Sequence, residues 1–165
     1  MKFRKWLVES QLSRQIAYHG TNQVFRSFDR GMFGSRDWGD FGFGVYLSPN
    51  DNLARQYALN AVRDRGGEPI VLHVRMMVDN TIDLSDPDTM RQVTKAAGVP
   101  TDKVLIPGQP QTRPRKDAEA ITNYLINQGY DSAVARNGRE IVVYDPSKLR
   151  VDGYYKDDEY IPLDE

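Results

Sequence analysis

Apolar residues recur along this chain at two spacings, and the switches between them mark out its elements. Residues 2–13 put Phe3, Trp6 and Leu7 on one side of a helical projection and charges elsewhere. That pattern predicts a short amphipathic helix covering a sheet edge. Ile16-Ala17-Tyr18 reads as a short buried strand that delivers His19-Gly20-Thr21. Residues 22–40 are rich in Gly, Asp and Arg and carry Phe25, Phe28, Phe33 and Trp38. A loop of that length inside a compact domain is usually functional.

Residues 41–47 read as a strand containing Gly42 and Gly44. Glycine weakens a strand and commonly marks close approach of a ligand or another backbone. A helix start follows, with Ser48 at the N-cap, Pro49 at the first turn and Asp51 near the positive end of the dipole. Leu53, Tyr57 and Ala61 share one face, and Gly66-Gly67 stops the run. Residues 69–78 form a strong strand pattern, and 80–84 are expected to continue its sheet. A helix is predicted over 86–97, stopped by Gly98 and Pro100. Residues 107–116 carry three prolines and predict an exposed loop. Asp117 opens another helix that closes at Gly129. Residues 131–135 and 140–144 then pair as a hairpin around Arg136-Asn137-Gly138-Arg139, because Asn-Gly is a strong turn signal. The order predicts an α+β fold with a mainly antiparallel sheet core flanked by helices.

At 165 residues there is enough chain for one domain. Charge nearly cancels overall but is uneven. Residues 152–165 hold six acids and one base, leaving 21 basic and 17 acidic residues before them. The expectation is therefore a single domain over 1–151 followed by a peripheral acidic tail over 152–165. A mildly basic body tolerates a polyanionic partner without demanding one. No stretch has the length of a membrane-spanning helix, and MKFRKWLVES has no apolar segment of the signal-peptide kind. The absence of cysteine removes disulfides, a thiol nucleophile and Cys-ligated metals. A reducing cytoplasm fits that usage.

Common chemical motifs fail one by one. Gly42-Phe43-Gly44 is half of a dinucleotide fingerprint, but Leu47 stands where the third glycine belongs. There is no P-loop and no G-x-S-x-G. His19 and His73 have no carboxylate at metal spacing, so no metal site is expected, and His73 reads as a satisfied structural histidine. Three pieces remain: Tyr18-His19-Gly20-Thr21, Gly42-Phe43-Gly44-Val45-Tyr46 and Glu140-Ile141-Val142-Val143-Tyr144-Asp145. Each places a polar or aromatic side chain in or at the end of an apolar strand, and Tyr57 follows on the next helix.

Together these pieces resemble the His-Tyr-Glu class of ADP-ribosyltransferases, on the diphtheria-toxin and poly(ADP-ribose) polymerase side of that superfamily. His19-Gly20-Thr21 matches its "HG[ST]" strand end, and Gly42, Gly44, Val45 and Tyr46 match "G-x-G-[IV]-Y". Tyr57 follows Tyr46 by 11 positions, the spacing of the polymerase branch. Residues 140–145 match its glutamate-led third strand. The ending YDPSKLRV is similar to small phage and bacterial polyvalent or toxin domains.

The resemblance implies a split-sheet ADP-ribosyltransferase fold, NAD as co-substrate and nicotinamide as leaving group. It implies His19, Tyr46 and Glu140 as the catalytic set, and His19, Gly20, Thr21, Gly44, Tyr46 and Tyr57 as the NAD contacts. Tyr46 and Tyr57 would wall the nicotinamide, and the backbone of Gly20 would hold its carboxamide. His19 would meet a ribose hydroxyl, and Glu140 would stabilise the positive charge that develops on the ribose. Arg30, Arg36, Arg136 and Arg139 are candidates for the diphosphate or the acceptor. Ala54 stands where the polymerase branch has a serine on the carboxamide, which removes one contact. Gly138 stands where the arginine-specific branch has an acid, so arginine modification gains no support. The expected activity is mono-ADP-ribosyl transfer to a protein or nucleic-acid acceptor. A NAD glycohydrolase and a non-catalytic NAD or ADP-ribose binding module are the alternatives.

Overall fold

The computed structural model describes residues 15–32, 39–100 and 113–164. Expectations for residues 2–13, for Phe33, Arg36 and Trp38, and for most of the proline-rich stretch lie outside the described residues. Eight strands and three α-helices are seen within them: β1 (Ile16–Thr21), β2 (Val45–Leu47), α1 (Asp51–Arg65), β3 (Ile70–Met76), β4 (Thr81–Asp83), α2 (Pro87–Ala96), α3 (Arg115–Asn127), β5 (Ser132–Ala135), β6 (Glu140–Val143), β7 (Leu149–Lys156) and β8 (Glu159–Pro162). The strands form two four-stranded sheets, ordered β1-β3-β7-β8 and β2-β6-β5-β4. All pairings are antiparallel except β4 with β5.

Strand alternation explains the layering. Ala17, Ile70, Leu72, Val74 and Met76 of the first sheet pack into one core with Val45, Leu47, Ile141 and Val143 of the second. Each such buried aliphatic contributes roughly 1.5–3 kcal/mol. The outer face of the first sheet takes α1, through Ala54 and Ala58 against Val71 and Tyr18. The outer face of the second takes α2 and α3, through Val93, Ile121 and Leu125 against Ala133, Val142 and Tyr144. Beyond that shared core, backbone hydrogen bonds join the sheets at a seam between β1 and the end of β2. Tyr18 N–H donates to the Ser48 carbonyl at 2.8 Å, and Ser48 N–H donates back to the Tyr18 carbonyl at 2.9 Å.

Several expectations shift. β1 runs through His19-Gly20-Thr21 rather than stopping before it. β2 covers only Val45–Leu47, because Gly42, at φ 111°, turns the chain just ahead of it. Ser48 is held in the seam, so Asn50 caps α1 instead, its side chain accepting from Asn52 N–H at 2.8 Å. The buried face of α1 is Ala54, Ala58 and Ala61 rather than Leu53, Tyr57 and Ala61. β4 does not continue the sheet of β3; it crosses to the second sheet and lies parallel to β5. The acidic C-terminal segment is paired as strand at the edge of the first sheet. Residues 152–156 extend β7 along β3, and β8 pairs with β7 through Tyr155↔Tyr160 and Gly153↔Pro162. His73 is mid-strand as expected, but its buried Nδ1 makes no hydrogen bond. Its ring instead packs edge-on to Tyr18 at 5.8 Å and Tyr160 at 5.5 Å.

Candidate active site

His19 lies on the same side of β1 as Ala17 and Thr21. Its ring meets Phe28 edge-on at 5.2 Å and Phe25 at 6.1 Å. Nδ1 stands 2.9 Å from the Tyr46 carbonyl, which can only accept, so Nδ1 carries the proton. Burial holds the ring's pKa below its ordinary value; the Tyr46 carbonyl opposes that shift and Arg65 adds to it. A neutral ring with Nδ1 committed leaves the Nε2 lone pair as an acceptor.

Tyr46 follows on β2, facing the helical side of the second sheet. Its hydroxyl donates to the Gly42 carbonyl at 2.8 Å and accepts from Phe41 N–H at 3.2 Å. Gly39 fits against that same oxygen: a Cβ there would lie 1.5 Å from it. Residues 39–42 thus wrap the hydroxyl end of the ring. Burial pushes the phenol well above its ordinary pKa, and the neighbouring Tyr144 and the charge on Glu140 push the same way.

Glu140 opens β6. Tyr46 pairs with Val142, so Glu140, two residues earlier, shares the face of Tyr46. Its side chain is only 5% exposed. Oε1 accepts a hydrogen bond from the Tyr57 hydroxyl at 2.8 Å. Oε2 is buried and receives no directed hydrogen bond, although Arg136 Nε approaches it to 2.7 Å as an ion pair. A buried carboxylate oxygen without a directed donor is well suited to a ligand hydroxyl. The connected set is therefore Tyr57 on Glu140, Glu140 beside Tyr46, and Tyr46 on His19.

The small residues do a different job from the one their motif implied. A Cβ on Gly20 would lie 1.9 Å from the Ala54 carbonyl oxygen and 2.6 Å from Ala58 N, so the missing side chain admits α1 rather than a ligand. A Cβ on Gly44 would meet the Val143 carbonyl oxygen at 2.7 Å, which is close approach of β6. The backbone of Gly20 is another matter. Tyr18 turns both of its polar groups toward Ser48, and strand alternation aims those of Gly20 at the same edge, level with Tyr46 and past the isolated Tyr18–Ser48 bridge. Thr21 is buried at the end of β1.

Among the candidate arginines, Arg136 reaches Glu140, while Arg30 lines a separate cavity of about 190 Å³ against α3 together with Phe43, Glu119, Asn123 and Tyr144. Neither His19, Tyr46, Tyr57 nor Glu140 lines that cavity. Sequence reasoning offered Arg136 only as a diphosphate or acceptor contact, not as a partner of Glu140, and it did not single out Phe41, whose ring lies 5.9 Å from the Arg136 guanidinium. The available signal was the spacing of Arg136 and Glu140, four apart across a turn. Among the described residues no cluster of His, Cys, Asp and Glu could hold a metal ion, and no helix is long and apolar enough to cross a membrane.

No curated protein matches the chain. A solved structure similar in fold is the Mycobacterium tuberculosis MbcT-MbcA toxin–antitoxin complex, at 15% identity and a TM-score of 0.49, covering 87% of this chain and 84% of that one. The family model for the ADP-ribosyltransferase in polyvalent proteins matches residues 13–151. That match spans most of the chain and includes all three motifs, and the protein belongs to this family of ADP-ribosyltransferases.

Proposed function

We propose that this chain is a mono-ADP-ribosyltransferase that cleaves NAD at the nicotinamide–ribose bond and passes ADP-ribose to a macromolecular acceptor. The observation that carries the reading is the Glu140 carboxylate: buried, held on one oxygen by Tyr57, with the other oxygen lacking a directed donor. Breaking the bond between nicotinamide N1 and ribose C1′ sends the electron pair to nicotinamide and leaves positive charge on the ribose. A carboxylate already fixed beside that ribose stabilises the charge without reorganising at the moment of reaction. The acceptor nucleophile then bonds to C1′ and loses its proton, a step Glu140 can assist as a base.

The remaining side chains bind and orient. Tyr46 and Tyr57 offer aromatic faces to a pyridinium ring, worth roughly 0.5–2 kcal/mol each. His19 Nε2 accepts from a ribose hydroxyl, since Nδ1 is committed to the Tyr46 carbonyl. The Gly20 backbone edge takes the carboxamide, and Thr21 adds a neighbouring polar group. Incubation of a cell lysate with the enzyme and labelled NAD, followed by mass spectrometry, tests the reading. An ADP-ribose increment on protein or nucleic acid, with nicotinamide released, is expected. Nicotinamide release with all label left as free ADP-ribose would make the protein a glycohydrolase. Saturable binding without release would make it a binding module.

A further inference from the structure

We infer that Arg136 is a displaceable counter-ion that occupies the Glu140 carboxylate before NAD arrives and thereby sets the affinity for NAD; this rests on Glu140 facing the NAD ribose. The first observation is backbone geometry. Arg136, Asn137 and Gly138 have φ of 51°, 56° and 84°, three successive residues in the left-handed region. Glycine and asparagine tolerate that conformation, but an arginine there is uncommon and costs energy. The conformation folds the Arg136 side chain back toward the residue four positions ahead, and its Nε stands 2.7 Å from Glu140 Oε2.

The second observation is that this contact is made to be exchanged. The Arg136 side chain is 56% exposed and its Nε lies at ion-pair distance, yet Oε2 receives no hydrogen bond of good direction. Oε1 is meanwhile engaged by Tyr57. A ribose hydroxyl approaching Glu140 thus meets a carboxylate whose second oxygen is covered by a poorly aligned cation. A hydroxyl with correct direction recovers the hydrogen bond that the guanidinium does not make.

The third observation is a second resting place. Arg136 Nη2 is already 3.6 Å from Asp40 Oδ2, and its guanidinium lies 5.9 Å from the centre of the Phe41 ring. A short shift toward Asp40 releases Oε2 while keeping the cation paired and stacked. Removing the positive charge from Glu140 also strengthens its field at the ribose, so binding and activation of the carboxylate are coupled.

The test is a double-mutant cycle read as NAD dissociation constants by calorimetry, with nicotinamide release followed in parallel. Arg136→Gln is expected to tighten NAD binding roughly threefold to tenfold, about the worth of one half-exposed ion pair. Arg136→Lys restores the parent value. In a Glu140→Gln background, where no anion is left to cover, Arg136→Gln is expected to leave the constant unchanged. Damage to the turn would weaken binding in both backgrounds, so tightening in one background only is the signature. Equal or weaker binding by Arg136→Gln in the parent background overturns the inference, as does the same tightening in both backgrounds. If the cycle behaves as stated but the parent releases no nicotinamide, the counter-ion role stands and the transferase reading fails.

Discussion

At Tyr46 the hydroxyl is fully engaged by the backbone of Phe41 and Gly42, which separates what the oxygen does from what the ring does. Tyr46→Phe should cost about 1 kcal/mol of stability and leave NAD affinity near the parent value. Tyr46→Ala should weaken NAD binding roughly 2- to 30-fold, the range expected for one aromatic wall. Titration calorimetry distinguishes the two, and an unchanged constant in Tyr46→Ala would remove the residue from the pocket. His19 supplies a pH signature. Its pKa is held below the ordinary 6.5 by burial, so the unfolded chain binds a proton that the folded chain resists. Stability is then complete above about pH 6.5 and declines as pH falls through the lowered value. His73 shifts the same way, also chiefly by burial. The slope of thermal midpoint against pH between 6.5 and 5 should therefore flatten in His19→Gln without vanishing; an unaltered slope would contradict the assignment. The candidates His19, Tyr46 and Glu140 were legible as residues because each sits in a short motif, and Tyr57 because of its spacing from Tyr46. Arg136 was legible only as one of four loop arginines, since nothing in the order of residues reveals a left-handed arginine.

Among the elements, α1 shows most clearly how the site is assembled. Its Ala54 and Ala58 backbone lies directly on Gly20, which brings Tyr57 on the same helix to the carboxylate of β6. Gly20→Ala should cost roughly 3 kcal/mol, because the added methyl meets helix backbone that cannot rotate away. Chemical denaturation measures this; a loss under about 0.5 kcal/mol would show that α1 can slide on β1. The helix itself was readable from its start signals and from Gly66, which caps it at φ 73°. Its buried face was not. A spacing of four fits Leu53-Tyr57-Ala61 and Ala54-Ala58 equally, and the choice is made by close contact with a glycine on a distant strand. The 136–139 hairpin was readable because Asn-Gly turns are local. The crossing of β4 to the other sheet was not, since a three-residue strand carries no record of its partner.

On the scale of the whole molecule, two sheets meet at the Tyr18–Ser48 seam, and the four candidate side chains gather around it from β1, β2, α1 and β6. The α+β class and antiparallel character followed from the order of elements. The C-terminal hairpin did not, because acidic residues on an outer strand look like a solvated tail. Removing residues 152–165 would take away β8 and more than half of β7. Such a truncation should broaden or abolish cooperative thermal unfolding, and a midpoint equal to the parent's would mean that the hairpin is dispensable. The account's central claim concerns Glu140, and the rate of nicotinamide release from NAD by the parent and by Glu140→Gln tests it most directly. A fall of roughly 100- to 1,000-fold, with NAD binding largely retained, is the expected result. Equal rates in the two proteins would contradict it.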